Sequence, residues 1–329
     1  MPSGRPVAAV VRPVLLSLLM AFGAMLPAAH AQLQFPVKPI RLIIGSAPGS
    51  GPDVISRTLS ERMAEVWGQR IVVDARPGAA GAISADLALQ TNPDGYTWMM
   101  LTSQLFVASQ VLTGLKFDLA RDFQSVALIG ATPFIMLANT TQPARNLREL
   151  IELARKSPGT IRYGSAGTGA SEHLSGVLFN HLTSTSMLHV PYKGVPQAIT
   201  DTLSNEVQFT FAVLPVALPH IQSGRLVALG GTIPRRFPQI PDVPAISEVV
   251  PGYAMYAWYS IVAPTGTPNP ILEKASTDLV RVLREPAMGE RLRNMGIDVM
   301  AGDRKALDQW RAEENKRIST TVKLSGATR

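Results

Sequence analysis

The feature of this sequence that most narrows its fold is a repeated alternation. Short apolar runs of strand length are followed by turn residues, and then by segments whose apolar side chains recur at helical spacing. Strands separated by helices are joined by crossovers rather than hairpins, which favours a largely parallel sheet with helices on its faces. Ile40 to Ile44 is the first strand and runs into a Gly/Ser/Pro turn. Pro52 to Trp67 reads as a helix, because Ile55, Leu59, Met63 and Val66 share a face and Gly68 ends it. Ile71 to Asp74 is the next strand, and the loop Arg76 to Gly81 leads into a helix through Ala85 and Leu89. Asn92-Pro93-Asp94-Gly95 is a turn before a buried strand, Thr97 to Leu101.

The rhythm continues with one or two strands across Val126 to Ala138, broken at Thr132-Pro133. Leu147, Leu150, Ile151 and Ala154 form a helix face, Ile161 to Gly164 a strand, and Leu174, Val177, Leu178 and Leu182 another helix. Met187 to Val190, Val207 to Ala212 and Leu226 to Leu229 are further strands. Pro234, Pro238, Pro241, Pro244 and Pro251 exclude long regular elements, but Phe237, Ile240, Val243 and Ile246 can pack, so this stretch reads as an ordered wrapping segment. Tyr253 to Val262 is an aromatic-rich strand. From Ile271 the chain reads as helical to its end, with Leu272, Ala275, Leu279 and Leu283 on one face, expected to pack back on the first lobe.

The N-terminus has a different texture. Arg5 and Arg12 form a basic start, Val14 to Leu26 is an apolar run, Pro27 breaks it, and Ala29-His30-Ala31 is an A-x-A site. These are the parts of a secretory signal peptide. The run is shorter than the roughly 20 residues a membrane-spanning helix needs, so cleavage after Ala31 is expected. Removing 31 of 329 residues leaves 298, enough for two domains. The chain has no cysteine, which rules out thiol nucleophiles, iron–sulfur clusters and thiolate zinc sites. Lys plus Arg is 31 against 24 for Asp plus Glu, and losing Arg5 and Arg12 leaves 29 against 24. A mild positive balance helps attract an anionic solute. The basic residues are scattered, without the clustering or aromatic interleaving of a nucleic-acid surface.

Two glycine-rich turns stand between a strand and a helix: Gly45 to Asp53 and Gly164 to Ser171. Glycines allow close approach of backbone, and the N–H groups at a helix start attract an anion. Such a turn suits a carboxylate; it is equally the form of a plain capped turn. Two similar turns imply two similar α/β lobes facing each other across a cleft, since ligands of open α/β sheets bind outside the carboxyl ends of the strands. Thr102 and Ser103, just past a strand end, are placed to reach the same cleft.

Enzyme patterns are missing. Neither turn is a P-loop or a G-x-G-x-x-G fingerprint, Glu172 standing where the second would need its third glycine. Ser165 is not in a G-x-S-x-G elbow, and there is no H-E-x-x-H. His173 and His181 are two helical turns apart, too far to chelate one metal unaided. His173 and His189 read as packing or capping residues and Lys193 as a solvated loop lysine. No metal, cofactor or catalytic residue is expected.

Several segments, taken in order, resemble the Bug proteins, the TctC-type receptors of tripartite tricarboxylate transport systems. They are Ala47-Pro48-Gly49 with Asp53 and Arg57; Arg76-Pro77-Gly78-Ala79 with Gly81; Asp94-Gly95-Tyr96-Thr97; Tyr163 to Gly167 with Gly169, His173 and Leu174; His189 to Gly194; Leu218 to Ile221; Pro241 to Pro244; and Ala263-Pro264 with Gly266 to Pro268. The resemblance covers essentially the whole chain after the signal segment. It implies an α/β, two-lobed periplasmic binding protein of the Venus-flytrap type II form, each lobe a mixed sheet flanked by helices, joined by two crossing strands. Lobe 1 would comprise 32–131 and 256–329, and lobe 2 132–255.

It further implies periplasmic work in a Gram-negative bacterium, a small carboxylate ligand, a monomer, and two membrane subunits as partners. A ligand-sensing partner of a membrane signalling system is the variant role, and a serine hydrolase using Ser165 or Ser103 the reading from another class. Carried over, the ligand residues are Ser46, Ala47, Gly49, Ser50, Gly51, Thr102, Ser103, Gly167, Thr168, Gly169, Ala170, Ser171 and Ala212. The sequence departs from its relatives at Ser46 (usually aromatic), Ser50 (glycine), Pro52 (Ser or Thr), Thr168 (Asn), Glu172 (Ser) and Ala212 (often Asp). Pro52 removes a possible donor. Glu172 brings a negative charge toward an anion site, unfavourable unless it points away, and Ala212 cannot pair with a ligand amine, so amino acids are expected to bind less well than simple carboxylates.

Overall fold

A computed structural model describes residues 34–326; the signal segment and its cleavage site lie outside them. Among the described residues eleven strands form two sheets, mixed and not largely parallel as the alternation suggested, since five of the nine strand pairings are antiparallel. The first runs β11 (Asp298–Gly302), β4 (Phe123–Thr132), β10 (Ala257–Pro264), β3 (Thr97–Thr102), β1 (Ile40–Ile44), β2 (Ile71–Ala75). The second runs β7 (Leu188–Pro191), β6 (Arg162–Ser165), β8 (Phe209–Val213), β5 (Phe134–Asn139), β9 (Leu226–Gly231).

In the first sheet β1 lies between β2 and β3 and is parallel to both. In the second, β6 lies between β7 and β8 and is parallel to both. The chain leaving each of these strands goes to one side of it and later returns on the other, so its carboxyl end opens a crevice at a topological switch point. The two glycine-rich turns are the segments that follow β1 and β6.

Each sheet is covered on both faces by its own apolar clusters. Ile40, Leu42 and Ile44 pack on one face with the helices Gly51–Trp67 and Asn269–Leu283, while Ile43 packs on the other with Met99 and Leu105. The alternation is the pleat of the strand. In the second sheet Phe209 and Phe211 face one cluster, Ala212 and Ile135 the other.

The chain crosses from sheet to sheet at Pro133 and returns through the proline-rich segment. Thr232, fully buried, ties the two crossings together. Its hydroxyl accepts from Phe134 N (2.9 Å) and donates to Met255 O (2.7 Å), while its N–H donates to Phe134 O and its carbonyl accepts from Met255 N. Phe237, Ile240 and Ile246 are buried, which orders the segment as expected from the sequence.

Two further expectations need correction. The C-terminal region is not helical throughout: β11 interrupts it, pairing antiparallel with β4, after Gly296 turns the chain with φ +77°. The last helix, Arg304–Ser325, does not pack on the first lobe alone. Leu307 joins a first-sheet cluster, but Ile318 and Val322 join a second-sheet cluster. Helices at Ser103–Val111, Val195–Leu203 and Leu214–Gln222 were not read from the sequence. Their apolar faces are short, and two contain proline at the start. Among the described residues no helix is long and apolar enough to cross a membrane, and no cluster of His, Cys, Asp and Glu is arranged to hold a metal.

Candidate ligand-binding cleft

A cleft of about 930 Å³ lies where the turn after β1, the start of the helix after β3 and the start of the helix Ser171–Thr183 converge. The first turn owes its shape to Asp53, 3% exposed, whose carboxylate accepts from Gly49 N (2.9 Å) and from Arg57 Nε (3.0 Å). The Arg57 hydrogen bond, with help from the Gly49 N–H, holds the Asp53 carboxyl below its usual range against the opposing effect of burial. Gly45 meets the second loop so closely that a Cβ there would sit 2.6 Å from Gly81 Cα.

The helix Gly51–Trp67 starts at this turn with Ser50 as its N-cap, yet the Ser50 hydroxyl makes no capping bond. Ser50 Oγ is buried, has no protein partner, and belongs to the cleft wall. Helix geometry leaves the N–H groups of Gly51 and Asp53 without intrahelical acceptors, and Pro52 has none to offer. Across the cleft, Ser171 begins the helix of the second lobe. Its hydroxyl is likewise buried and without a protein partner. Two residues that line one cleft, each at a helix start, therefore carry unpaired hydroxyls.

Of the residues expected at a ligand, Ser46, Ala47, Gly49, Ser50, Gly51, Thr102, Ser103 and Ser171 line this cleft. Thr102 is the N-cap of its helix, its hydroxyl accepting from Leu105 N at 3.4 Å. Gly167, Thr168, Gly169 and Ala170 do not line it. Three N–H groups of that turn are already used: Gly167 N donates to Ser165 Oγ (3.1 Å), Gly169 N to His173 Nδ1 (3.1 Å) and Ala170 N to Gly167 O. In the first turn Gly49 N is likewise occupied by Asp53.

Ala212 lies in the core of the second lobe, fully buried opposite Ile135, and it is the next residue, Val213, that reaches the cleft. One step along a strand reverses the face. The expectation drawn from Ala212 about ligand amines therefore has no basis in the cleft.

Three ionisable residues line the cleft without having been among the expected ligand contacts. Tyr259, on β10, places its hydroxyl 3.6 Å from where a Gly51 Cβ would be, beside the open helix start, and burial pushes its pKa up to about 12. Lys193, read as a solvated loop lysine, is exposed but lines the cleft. Glu172 lines the cleft, and burial pushes its carboxyl up to about 7. Tyr259 carried only the signal of an aromatic in a strand; Lys193 lies inside a recognised segment and Glu172 beside recognised residues, and nothing in their spacing gives direction.

Behind the second turn Ser165 Oγ lies 2.6 Å from His189 Nε2, and the His189 ring stacks on His173 at 4.0 Å. This is the geometry of a nucleophile and its base, but Ser165 is fully buried and lines no part of the cleft, and its hydroxyl also donates to Gly167 O. The group braces the turn. Burial lowers His189 to about 4, with His173 adding to it, and burial also lowers His173. In a second cavity of about 470 Å³ beside Phe106 and Arg311, the guanidinium is already engaged by the Leu119 and Phe123 carbonyls and the Ser125 hydroxyl.

The comparisons agree with this architecture. The family model described as "Tripartite tricarboxylate transporter family receptor" matches residues 55–326. A UPF0065 protein from the tcbD-tcbE intergenic region of Pseudomonas sp. strain P51 is 31% identical over 86% of this chain and 85% of its own. Among solved structures, R. palustris Rpa4515 with adipate is 28% identical, covers 89% of this chain and 98% of its own, and superposes with a TM-score of 0.79. MatC (Rpa3494) from Rhodopseudomonas palustris with bound malate is 27% identical over 88% and 99%, with a TM-score of 0.74. Proteins of this family are solute receptors and not enzymes. This chain belongs to the tripartite tricarboxylate transporter receptor family.

Proposed function

We propose that this protein is an extracytoplasmic receptor that captures a small organic acid by its carboxylate between two lobes and presents it to a tripartite tricarboxylate-type transporter. The observation that carries the reading is that two residues lining one cleft at two helix starts, Ser50 and Ser171, each hold a buried hydroxyl without a protein partner. A buried hydroxyl without a partner costs roughly 1–3 kcal/mol, so the pair is built for a group that arrives from outside. A carboxylate accepts from both hydroxyls and from the adjoining helix starts, whose dipoles favour an anion. Adipate and malate in two relatives support the same ligand class.

The ligand contacts in this reading are Ser46, Ala47, Ser50, Gly51, Thr102 and Ser103 on one lobe and Ser171 on the other, with Tyr259 between them. Gly167 to Ala170 position Ser171 rather than touch the solute. The lobes are 32–131 with 256–329, and 132–255; the laced crossings at Thr232 support that division. Binding draws the lobes together because the closed state has the higher affinity. Receptors of this family are periplasmic, and we place this one there, exported by its signal segment and cleaved after Ala31, working as a monomer with two membrane subunits.

The test is a thermal-shift screen of residues 32–329, stripped of carried-over ligand by unfolding and refolding. The panel is mono-, di- and tricarboxylates, aromatic acids and amino acids. At about a thousandfold above the dissociation constant a ligand adds roughly 4 kcal/mol to the folded state. A shift from one class of acid, smaller by roughly 1 kcal/mol of ligand stabilisation in Ser171→Ala, is the expected result; silence from every carboxylate with a cooperatively melting protein sinks the reading.

A further inference from the structure

Of the residues lining the cleft, two carry a formal charge at neutral pH, Glu172 and Lys193. Glu172 follows Ser171 in the first turn of the helix of the second lobe. It is half-buried, yet among the described residues it has no ion pair and no hydrogen bond to another residue, its carboxylate accepting from its own backbone N–H. A carboxylate left without a cation in the wall of an anion site repels the ligand it lines. It cannot be a helix-capping device, because its oxygens accept from no neighbouring residue.

We infer that Glu172 sets the protonation state of the complex: it enters the bound state as the neutral acid and donates its proton in a hydrogen bond to a ligand carboxylate, so that capturing the anion takes up one proton from solution. The inference rests on the carboxylate reading above. The balance is simple: the receptor carboxylate, one proton and the ligand anion give a carboxylic acid hydrogen-bonded to a carboxylate, and no other group changes. The physical cause is that two carboxylates sharing a site cannot both stay ionised. Burial moves Glu172 up to about 7, so the proton is nearly in place at neutral pH.

The other titratable groups around it do not offer an alternative partner. On its own helix His173 is turned back to accept from Gly169 N, and on β7 His189 holds Ser165. Tyr259 on β10 is the un-ionised phenol beside Gly51. The C-terminal helix, packed on the same helix, brings Glu314 and Arg317, which pair with each other, and Trp258 donates to Glu314. The helix Ser103–Val111 carries no charged residue. Lys193, across the cleft wall on the loop after β7, makes no ion pair with Glu172 and is left to meet the far end of a diacid.

The measurement is calorimetry of adipate and malate with the full mature chain at pH 6.5, 7.5 and 8.5, in buffers of different protonation enthalpy. Both ligands keep their carboxyls ionised over that range. For wild type the dissociation constant of the bound diacid rises by roughly 25-fold between pH 6.5 and 8.5, with close to one proton taken up per ligand at the upper end. Glu172→Gln keeps a donor and loses the charge; it binds at least as well at pH 8.5 and its affinity does not change with pH. Binding by wild type that is flat across the range overturns the inference and leaves the carboxylate reading standing. So does tight binding of glutamate that Glu172→Gln abolishes, which would assign Glu172 to a ligand ammonium. Failure of both proteins to bind any carboxylate at any pH overturns the carboxylate reading, and the inference with it.

Discussion

Replacing Glu172 by Gln should unmask a loss of stability on acidification that the native side chain hides. Two groups of the second lobe titrate in opposite senses. Burial, and secondarily His173, lowers His189 from its ordinary 6.5 to about 4. The unfolded chain therefore takes a proton near 6.5 that the folded protein refuses until about 4, so this stability is complete above 6.5 and drains away as the pH falls. By pH 4.5 the loss is roughly 2.5 kcal/mol. Burial raises Glu172 from 4.5 to about 7, with its own backbone N–H opposing. Here the folded protein takes the proton first, so folding gains as the pH falls from 7 toward 4.5, by roughly 3 kcal/mol at most, since water in the cleft screens the group.

In wild type the two nearly offset. Removing either exposes the other. Chemical denaturation of wild type, Glu172→Gln and His189→Gln at pH 7.5, 6 and 4.5 reads this directly. Aspartates held low, such as Asp53 and Asp278, titrate alike in all three and cancel in the differences. Between pH 7.5 and 4.5 Glu172→Gln should lose roughly 2–3 kcal/mol relative to wild type, a fall in Tm of roughly 5 °C for a chain of this size. His189→Gln should move the opposite way. Three parallel curves would refute the assignment of either titration.

Other consequences follow from the same contacts. Ser50→Ala and Ser171→Ala should each weaken carboxylate binding about fivefold to tenfold, the worth of one hydrogen bond, while raising the stability of the ligand-free protein by roughly 1–3 kcal/mol, because each removes a buried hydroxyl that has no protein partner. Asp53→Ala leaves the Gly49 N–H without its acceptor and should cost about 1–3 kcal/mol in urea unfolding, with a weaker site. Gly176→Ala puts a Cβ 2.2 Å from the Tyr163 ring and should destabilise by roughly 1–3 kcal/mol through overpacking, measured by denaturant midpoint.

Much of this molecule was legible from its sequence. Local signals carried the strands β1 to β3, the break at Pro133 and the packing of the proline-rich segment. A turn that follows a strand and opens a helix is a local event, and so the two glycine-rich turns could be recognised without knowing what lay opposite. What could not be read was direction. Both sheets are covered on both faces, so their strands are apolar throughout and period two does not tell one face from the other. Ala212 and Val213 are equally apolar, yet only the second reaches the cleft. Tyr259 comes to Gly51 from a strand two hundred residues later in the chain, because β10 crosses back antiparallel beside β3. His189 meets Ser165 because β6 and β7 pair in parallel, and β11 ends as a strand only because the edge of β4 stands open to it. The chain alone determined which segments form and which turns can hold an anion; the pairing of distant strands decided which side chains the anion would meet, since that is set by register and crossover and not by neighbours in sequence.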